Sequence, residues 1–129
     1  MQVNANAPGH SCRVMVVDDH VASGDLLGEI LGLEGYSVRV AHCGRDAVVI
    51  AREFRPNIAL LDVGLPDMDG FALARLLKAD PQLQQIRLVA LSGYAQSSET
   101  ERSGRVGFDH YLVKPVDVEQ LLSVLQSLS

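Results

Sequence analysis

No stretch of this sequence approaches the roughly 20 consecutive apolar residues that span a bilayer, and the N-terminus lacks the charged-then-apolar layout of a secretory signal. The pattern therefore reads as cytosolic. There is no cluster of Lys and Arg, and the formal charge is -5, so the electrostatic footprint of a nucleic-acid binder is missing. Direct DNA contact is not expected. The two cysteines, Cys12 and Cys43, form no CxxC and have no paired histidine spacing, which excludes a zinc site. They fall near opposite ends of neighbouring expected strands, roughly 15 Å or more apart at about 3.3 Å per residue, so they read as reduced and structural. No catalytic histidine follows from His10, His42 or His110, which are scattered over the leader and strand ends.

Low-complexity tracts are also absent, and 47% hydrophobic residues against 21% charged ones argue for a folded chain. At 129 residues the chain is one domain with a core of ordinary size. Residues 1–11 carry Pro, Gly and polar groups without periodicity, which suggests a flexible leader or a linker stub, with the domain running from 12 to 129.

From Cys12 onward, short β-branched runs alternate with helix-period segments. Strands are expected at 13–17, 37–41, 58–61, 87–91 and 110–113, and helices near 21–34, 44–55, 69–79, 97–105 and 118–127. This is a (βα)5 unit: a doubly wound parallel five-stranded sheet, flavodoxin-like, in the order 2-1-3-4-5, with helices on both faces. Gly35 is placed to close the first helix, Ser98 with Glu101 to form a capping box, and Pro81 to end the segment after the third helix.

Four strands end in a chemically useful side chain. Val14 to Val17 delivers Asp18 and Asp19, Ile58 to Leu61 delivers Asp62, Leu88 to Leu91 delivers Ser92, and Tyr111 to Val113 delivers Lys114. In a parallel sheet all carboxyl ends lie on one edge, so the five groups should converge. Three carboxylates in one crevice repel each other unless a cation shares the site. A hard divalent ion fits: Mg²⁺, with Mn²⁺ able to substitute, takes carboxylates, water and phosphate oxygens, and Gly64 can add a backbone carbonyl. A carboxylate is also a nucleophile for phosphoryl transfer, and Asp62 is placed for it. Ser92 and Lys114 would then contact the phosphoryl oxygens.

Taken singly, each residue has a plainer explanation: an Asp pair as a helix cap, a Ser as a turn residue, a Lys as a solvated side chain. Taken together, Val14-Met15-Val16-Val17-Asp18-Asp19, Leu61-Asp62, Pro66-Asp67-Met68-Asp69-Gly70, Leu91-Ser92-Gly93 and Tyr111-Leu112-Val113-Lys114-Pro115 resemble the receiver domain of bacterial two-component response regulators over about residues 12–128.

The resemblance implies a phosphorelay switch rather than an enzyme in the ordinary sense, fed by a histidine kinase or a phosphotransfer protein. It makes Asp62 the phosphoacceptor, Asp19 a direct Mg²⁺ ligand, Asp18 an outer ligand and the Gly64 carbonyl the backbone ligand. Ser92, Lys114 and Tyr111 form the switch, read out on a face made of the helix near 97–105, the last strand and the last helix. Gly70 and Pro115 are structural, the latter in a Lys-Pro bond that is cis in the family and whose isomer the sequence alone does not show. A phosphorylation-dependent homodimer is compatible with this, and the Leu112-Val113-Lys114-Pro115-Val116-Asp117 ending is reminiscent of hybrid histidine kinases, so a single-domain regulator and a receiver from a larger protein both remain open.

The rival readings are a pseudo-receiver interaction module, an FMN-binding flavodoxin-like protein and a dehalogenase-type phosphatase. The second lacks the Gly, Ser or Thr phosphate cradle after the first strand, and the third lacks the acid two residues beyond the nucleophile, where Gly64 stands.

Two departures bear on phosphoryl lifetime. Gly64 and Tyr94 occupy positions where relatives carry polar side chains that orient water, so slow hydrolysis with Tyr94 as a shield is expected. His20 follows the Asp pair, but the surrounding oxygen donors leave it no expected place as a ligand. Gly24, Gly28 and Gly32 recur every fourth residue in the first helix and are read as an exposed stripe, either a close-approach face for a partner helix or a tolerated weak surface. Gly104 weakens the helix near 97–105 in the same way.

Overall fold

The computed structural model describes residues 12–93 and 108–129. These residues form β1 (Arg13–Val17), α1 (Val21–Leu33), β2 (Ser37–Ala41), α2 (Gly44–Phe54), β3 (Ile58–Asp62), α3 (Gly70–Ala79), a 3₁₀ turn (Pro81–Leu83), β4 (Arg87–Ser92), β5 (His110–Val113) and α4 (Val118–Leu128). All strand pairs are parallel and the sheet order is β2-β1-β3-β4-β5, as expected from the alternation of strands and helices. The expected helix at 97–105, with its Ser98/Glu101 box, Gly104 and Tyr94, lies outside the described residues, as does the leader 1–11.

The central strands are apolar along their whole length because both faces are covered, and their period of two sorts alternate residues into two cores. Met15, Val17, Ala59, Leu61 and Leu88 face Ala47 and Ala51 of α2 and Leu73 and Leu77 of α3. Val14, Val16, Ile58, Leu60, Val89 and Leu91 face Leu31 of α1 and Leu121 and Leu125 of α4. Among the described residues no helix is long and apolar enough to cross a membrane. Cys12 and Cys43 are both free thiols.

Two strands run one residue past their expected ends. Asp62 still pairs with Leu91, and Ser92 pairs with Val113, so the ladder carries both functional side chains to the sheet edge before the chain turns away. The helix ends follow local chemistry. Asp69 caps α3, accepting the Ala72 N–H at 2.9 Å, so the helix proper begins at Gly70. Arg55 takes a left-handed conformation and stops α2 at Phe54, and Gly35, at φ +102°, follows α1 as expected. Pro81 opens the 3₁₀ turn.

The exposed glycine stripe is not what the fold contains. Gly24 is buried and Gly28 half-buried against β2, and only Gly32 is on the surface. A Cβ on Gly28 would stand 2.8 Å from Val40 Cγ2, and one on Gly24 would stand 3.3 Å from Asp18 Cβ and 3.4 Å from Val40 Cγ1, whereas one on Gly32 meets nothing within 4 Å. The first two glycines let α1 lie close on the edge strand, so they are unavailable to a partner helix.

Candidate functional site

The site is built at the carboxyl edge of the sheet. Asp18 follows β1, Asp62 ends β3, Ser92 ends β4 and Lys114 follows β5. Asp18, Asp62 and Ser92 are buried, while Asp19 is exposed. One carboxylate oxygen from each of Asp18, Asp19 and Asp62 lies within 4.8 Å of the others, so the three acids expected at the strand ends do come together.

Each buried acid is held by backbone and by charge. Asp18 Oδ1 accepts the His20 N–H at 2.9 Å, and Asp62 Oδ1 accepts the Gly64 N–H at 2.9 Å. Lys114 Nζ donates to Asp62 Oδ2 at 2.7 Å and lies 3.7 Å from Asp18 Oδ2. Burial works against the Lys114 charge. The hydrogen bond and charge of Asp62, joined by the charges of Asp18 and Asp19, outweigh it and hold the ammonium above its ordinary pKa.

Among the described residues one ammonium faces three carboxylates, which leaves the cluster short of positive charge. An all-oxygen donor set at this spacing fits a hard divalent cation such as Mg²⁺ and suits a soft or imidazole-preferring metal poorly. Asp18, Asp19 and Asp62 are the side chains positioned to hold it. His20 is engaged elsewhere: its Nδ1 accepts from the Ser23 N–H at 3.3 Å and lies 2.8 Å from Ser23 Oγ, making it the cap of α1.

The loop after Asp62 is fixed from both ends. Gly70 N donates to Val63 O at 3.1 Å, and a Cβ at position 70 would stand 2.6 Å from Val63 Cα and 2.7 Å from Asp62 O. Only glycine permits that approach, which accounts for its expected structural role. Asp67 crosses to α2, accepting from Gly44 N at 2.8 Å and Arg45 N at 2.9 Å. Those two bonds, in that order, lower its carboxyl pKa.

Lys114-Pro115 is cis, which settles the isomer that the sequence leaves open. Tyr111 is half-buried on β5, in register with Ala90 and one strand over from Ser92. Beside the acids, α1 and the chain after Lys114 form a groove of about 480 Å³ whose lining includes Asp18, Ser23, Leu26, Ile30, Lys114 and Pro115.

One contact in the site carries no sequence motif. His42, at the end of β2, reaches the Asp18 carbonyl through Nδ1 at 2.9 Å, and its Nε2 lies 3.2 Å from Asp25 Oδ1 on α1. Its place in the sequence, after a strand and outside any motif, gives no sign of this contact.

Residues 14–126 match the family model described as the response regulator receiver domain. The chain belongs to the response regulator receiver family. It is 30% identical over 114 residues to the polar-differentiation response regulator DivK of Brucella anthropi, covering 88% of this chain and 93% of that protein. The chemotaxis response regulator CheY4 of Vibrio cholerae superposes with a TM-score of 0.86 at 28% identity, covering 92% of this chain and 99% of that one. A CheY-like receiver domain protein from Methanospirillum hungatei gives 0.83 at 32% identity, over 91% and 92% of the two chains. Phosphorylation in two-component signalling is general to this family, so the receiver is a signalling domain and not an enzyme in the ordinary sense. With that, the flavin-binding and dehalogenase readings fall away.

Proposed function

We propose that this receiver takes a phosphoryl group from a phosphohistidine of a histidine kinase or phosphotransfer protein onto Asp62, with Asp18, Asp19, Asp62 and the Gly64 carbonyl holding Mg²⁺. The observation that carries the reading is Asp62 itself. It is a buried carboxylate at a strand end, inside a three-acid cluster, with Lys114 Nζ on one oxygen at 2.7 Å.

In the transfer, a carboxylate oxygen of Asp62 attacks phosphorus while the phosphorus–nitrogen bond of the donor breaks. The electron pair leaves with the imidazole, and an acyl phosphate remains on Asp62. When bound, Mg²⁺ supplies positive charge that offsets repulsion between the acids and the incoming phosphoryl oxygens. Lys114 and Ser92 are the side chains proposed to bond those oxygens, the first as a charged donor and the second as a neutral one. A local charge of about -2 then biases Ser92 and Tyr111 toward a second arrangement, and the change is read on the face of β5, α4 and the segment near 97–105. No acid or amide stands at Gly64 to orient water, so the acyl phosphate should be long-lived, with Tyr94 shielding it. Replacing Gly64→Asn should hasten its decay, and an unchanged lifetime refutes this part.

The test is intact mass after incubation with acetyl phosphate, with and without Mg²⁺, for the wild type and Asp62→Asn. A Mg²⁺-dependent phosphoryl adduct that the variant lacks is expected. If no adduct forms under any condition, the chain is a pseudo-receiver that uses the fold for binding alone.

A further inference from the structure

We propose that His42 is a positioning residue for the acidic site, clamping the peptide between Asp18 and Asp19 so that both carboxylates leave the backbone in the directions a divalent cation needs. The consequence for Mg²⁺ rests on the metal site proposed above; the clamp itself does not.

The sheet ladder holds Asp18 only from its amide side, where Asp18 N donates to Ala41 O at 3.0 Å. Its carbonyl, just beyond the last β1–β2 pair at Val17 and Ala41, has left the ladder. His42 supplies the donor. A carbonyl oxygen can only accept, so the 2.9 Å contact requires the proton on Nδ1.

The ring is flanked by α1 on two further sides. Nε2 faces Asp25 Oδ1 at 3.2 Å, a contact that holds the ring when Nε2 carries a proton as well as Nδ1, and Cε1 lies 3.4 Å from the point where a Cβ on Gly24 would be. The imidazole thus sits between the Asp18 carbonyl and the first turns of α1. The absence of a side chain at Gly24 gives it room there.

That carbonyl belongs to the peptide that joins the two acids. The torsions on either side of it, ψ of Asp18 and φ of Asp19, set how the two side chains are angled to each other; a carbonyl left without its donor lets both drift, and the His20 N–H that bonds Asp18 Oδ1 at 2.9 Å drifts with them. A donor one shell behind the ligands therefore sets the spacing of the cluster, which is how outer partners tune metal sites. A simple strut between β2 and α1 would stabilise the fold without affecting the metal.

The experiment compares wild type, His42→Ala and His42→Asn at one pH, the asparagine amide keeping a donor in the place of Nδ1. Mg²⁺ is titrated by NMR, amide exchange is followed at Asp19 and His20, and the melting midpoint is recorded. His42→Ala is expected to weaken Mg²⁺ binding about tenfold, the low end for outer-shell changes, and to quicken exchange at these amides. His42→Asn should restore most of both.

Equal Mg²⁺ affinity in all three proteins, or equal losses in both variants that merely track the melting midpoint, overturns the proposal. Should the wild type take no Mg²⁺ at all, the metal reading fails by itself. The clamp then stands if exchange quickens locally in His42→Ala and recovers in His42→Asn, and falls if it does not.

Discussion

The three glycines of α1 provide a graded test of how closely this helix lies on the sheet. An alanine in a helix interior is favoured over glycine by about 1 kcal/mol, so each Gly→Ala change starts from the same gain. The surroundings then separate them. At Gly32, in the last turn of α1, the new methyl meets open space, and the gain should appear unopposed as a rise in melting midpoint of at most roughly 3–6 °C. At Gly28 it would lie 2.8 Å from Val40 Cγ2, on a β-branched side chain with little rotameric freedom. Overpacking of this kind costs about 1–3 kcal/mol, so the net effect should be a loss of up to about 2 kcal/mol. Gly24, with its nearest neighbours at 3.3 and 3.4 Å, should fall between the two and close to neutral.

Urea unfolding at constant m-value measures these differences. Val40→Ala should rescue Gly28→Ala, leaving the double variant more stable than the sum of the singles by about 1 kcal/mol, the coupling expected of residues in contact. The reasoning is refuted if the three alanines shift stability alike, or if Val40→Ala and Gly28→Ala are additive.

Three further expectations follow from the groups whose pKa values the fold moves. Burial chiefly raises Cys12 above its ordinary 9.0 and Tyr36 above 10.0, and Lys114 is raised by its acidic neighbours despite its own burial. In each case the native state keeps a proton that the unfolded chain has released, so stability should be undiminished below pH 9.0 and fall as pH rises through the raised values. Cys12→Ala should remove the earliest part of that fall, and a wild-type profile flat through this window would contradict the assignment. Thiol labelling of the native protein at neutral pH should modify Cys43, half-buried at the cap of α2, well before buried Cys12; equal rates seen by mass would refute it. Asp67 has a depressed pKa, so its contribution is present above 3.8 and lost as pH falls through the lower native value. Asp67→Ala should lower the melting midpoint at neutral pH and lessen the acid sensitivity, and an unchanged midpoint would show that its two bonds to α2 are not stabilising.

The sheet was legible in the sequence because its central strands are continuous apolar runs that end abruptly in polar groups, and the bounds of β1, β2 and β5 agree with the structure to the residue. The acids, Ser92 and Lys114 were legible for the same reason, since a parallel sheet gathers its strand ends on one edge. The glycine stripe was misplaced, although the signal was present. Gly24, Gly28 and Leu31 stand at i, i+4 and i+7, the spacing of a buried helix face, and Val38 and Val40 on β2 offer branched side chains to meet it. His42 and Asp67 left no such trace. Their partners lie 24 and 23 residues away, in contacts that depend on how β2 meets β1 and how the loop after β3 reaches α2. Neither spacing corresponds to a helical or strand period.

That division between legible and hidden residues has a physical basis. The groups proposed to do chemistry must be at strand ends, and strand ends are written in hydrophobicity. The groups that hold them still work through the backbone: His42 on the Asp18 carbonyl, Asp67 on two amides of α2, and Gly70 through its amide on the Val63 carbonyl, with no Cβ to strike Asp62 O. Backbone is the same in every residue, so these contacts impose no pairing on the sequence beyond a donor, an acceptor or a missing Cβ. The arrangement leaves the Asp62 carboxylate itself with two replaceable partners, the Gly64 amide and the Lys114 ammonium. Its position is set by main-chain contacts while its oxygens stay exchangeable, which is what a residue must have if it is to be modified and restored without unfolding the loop that carries it.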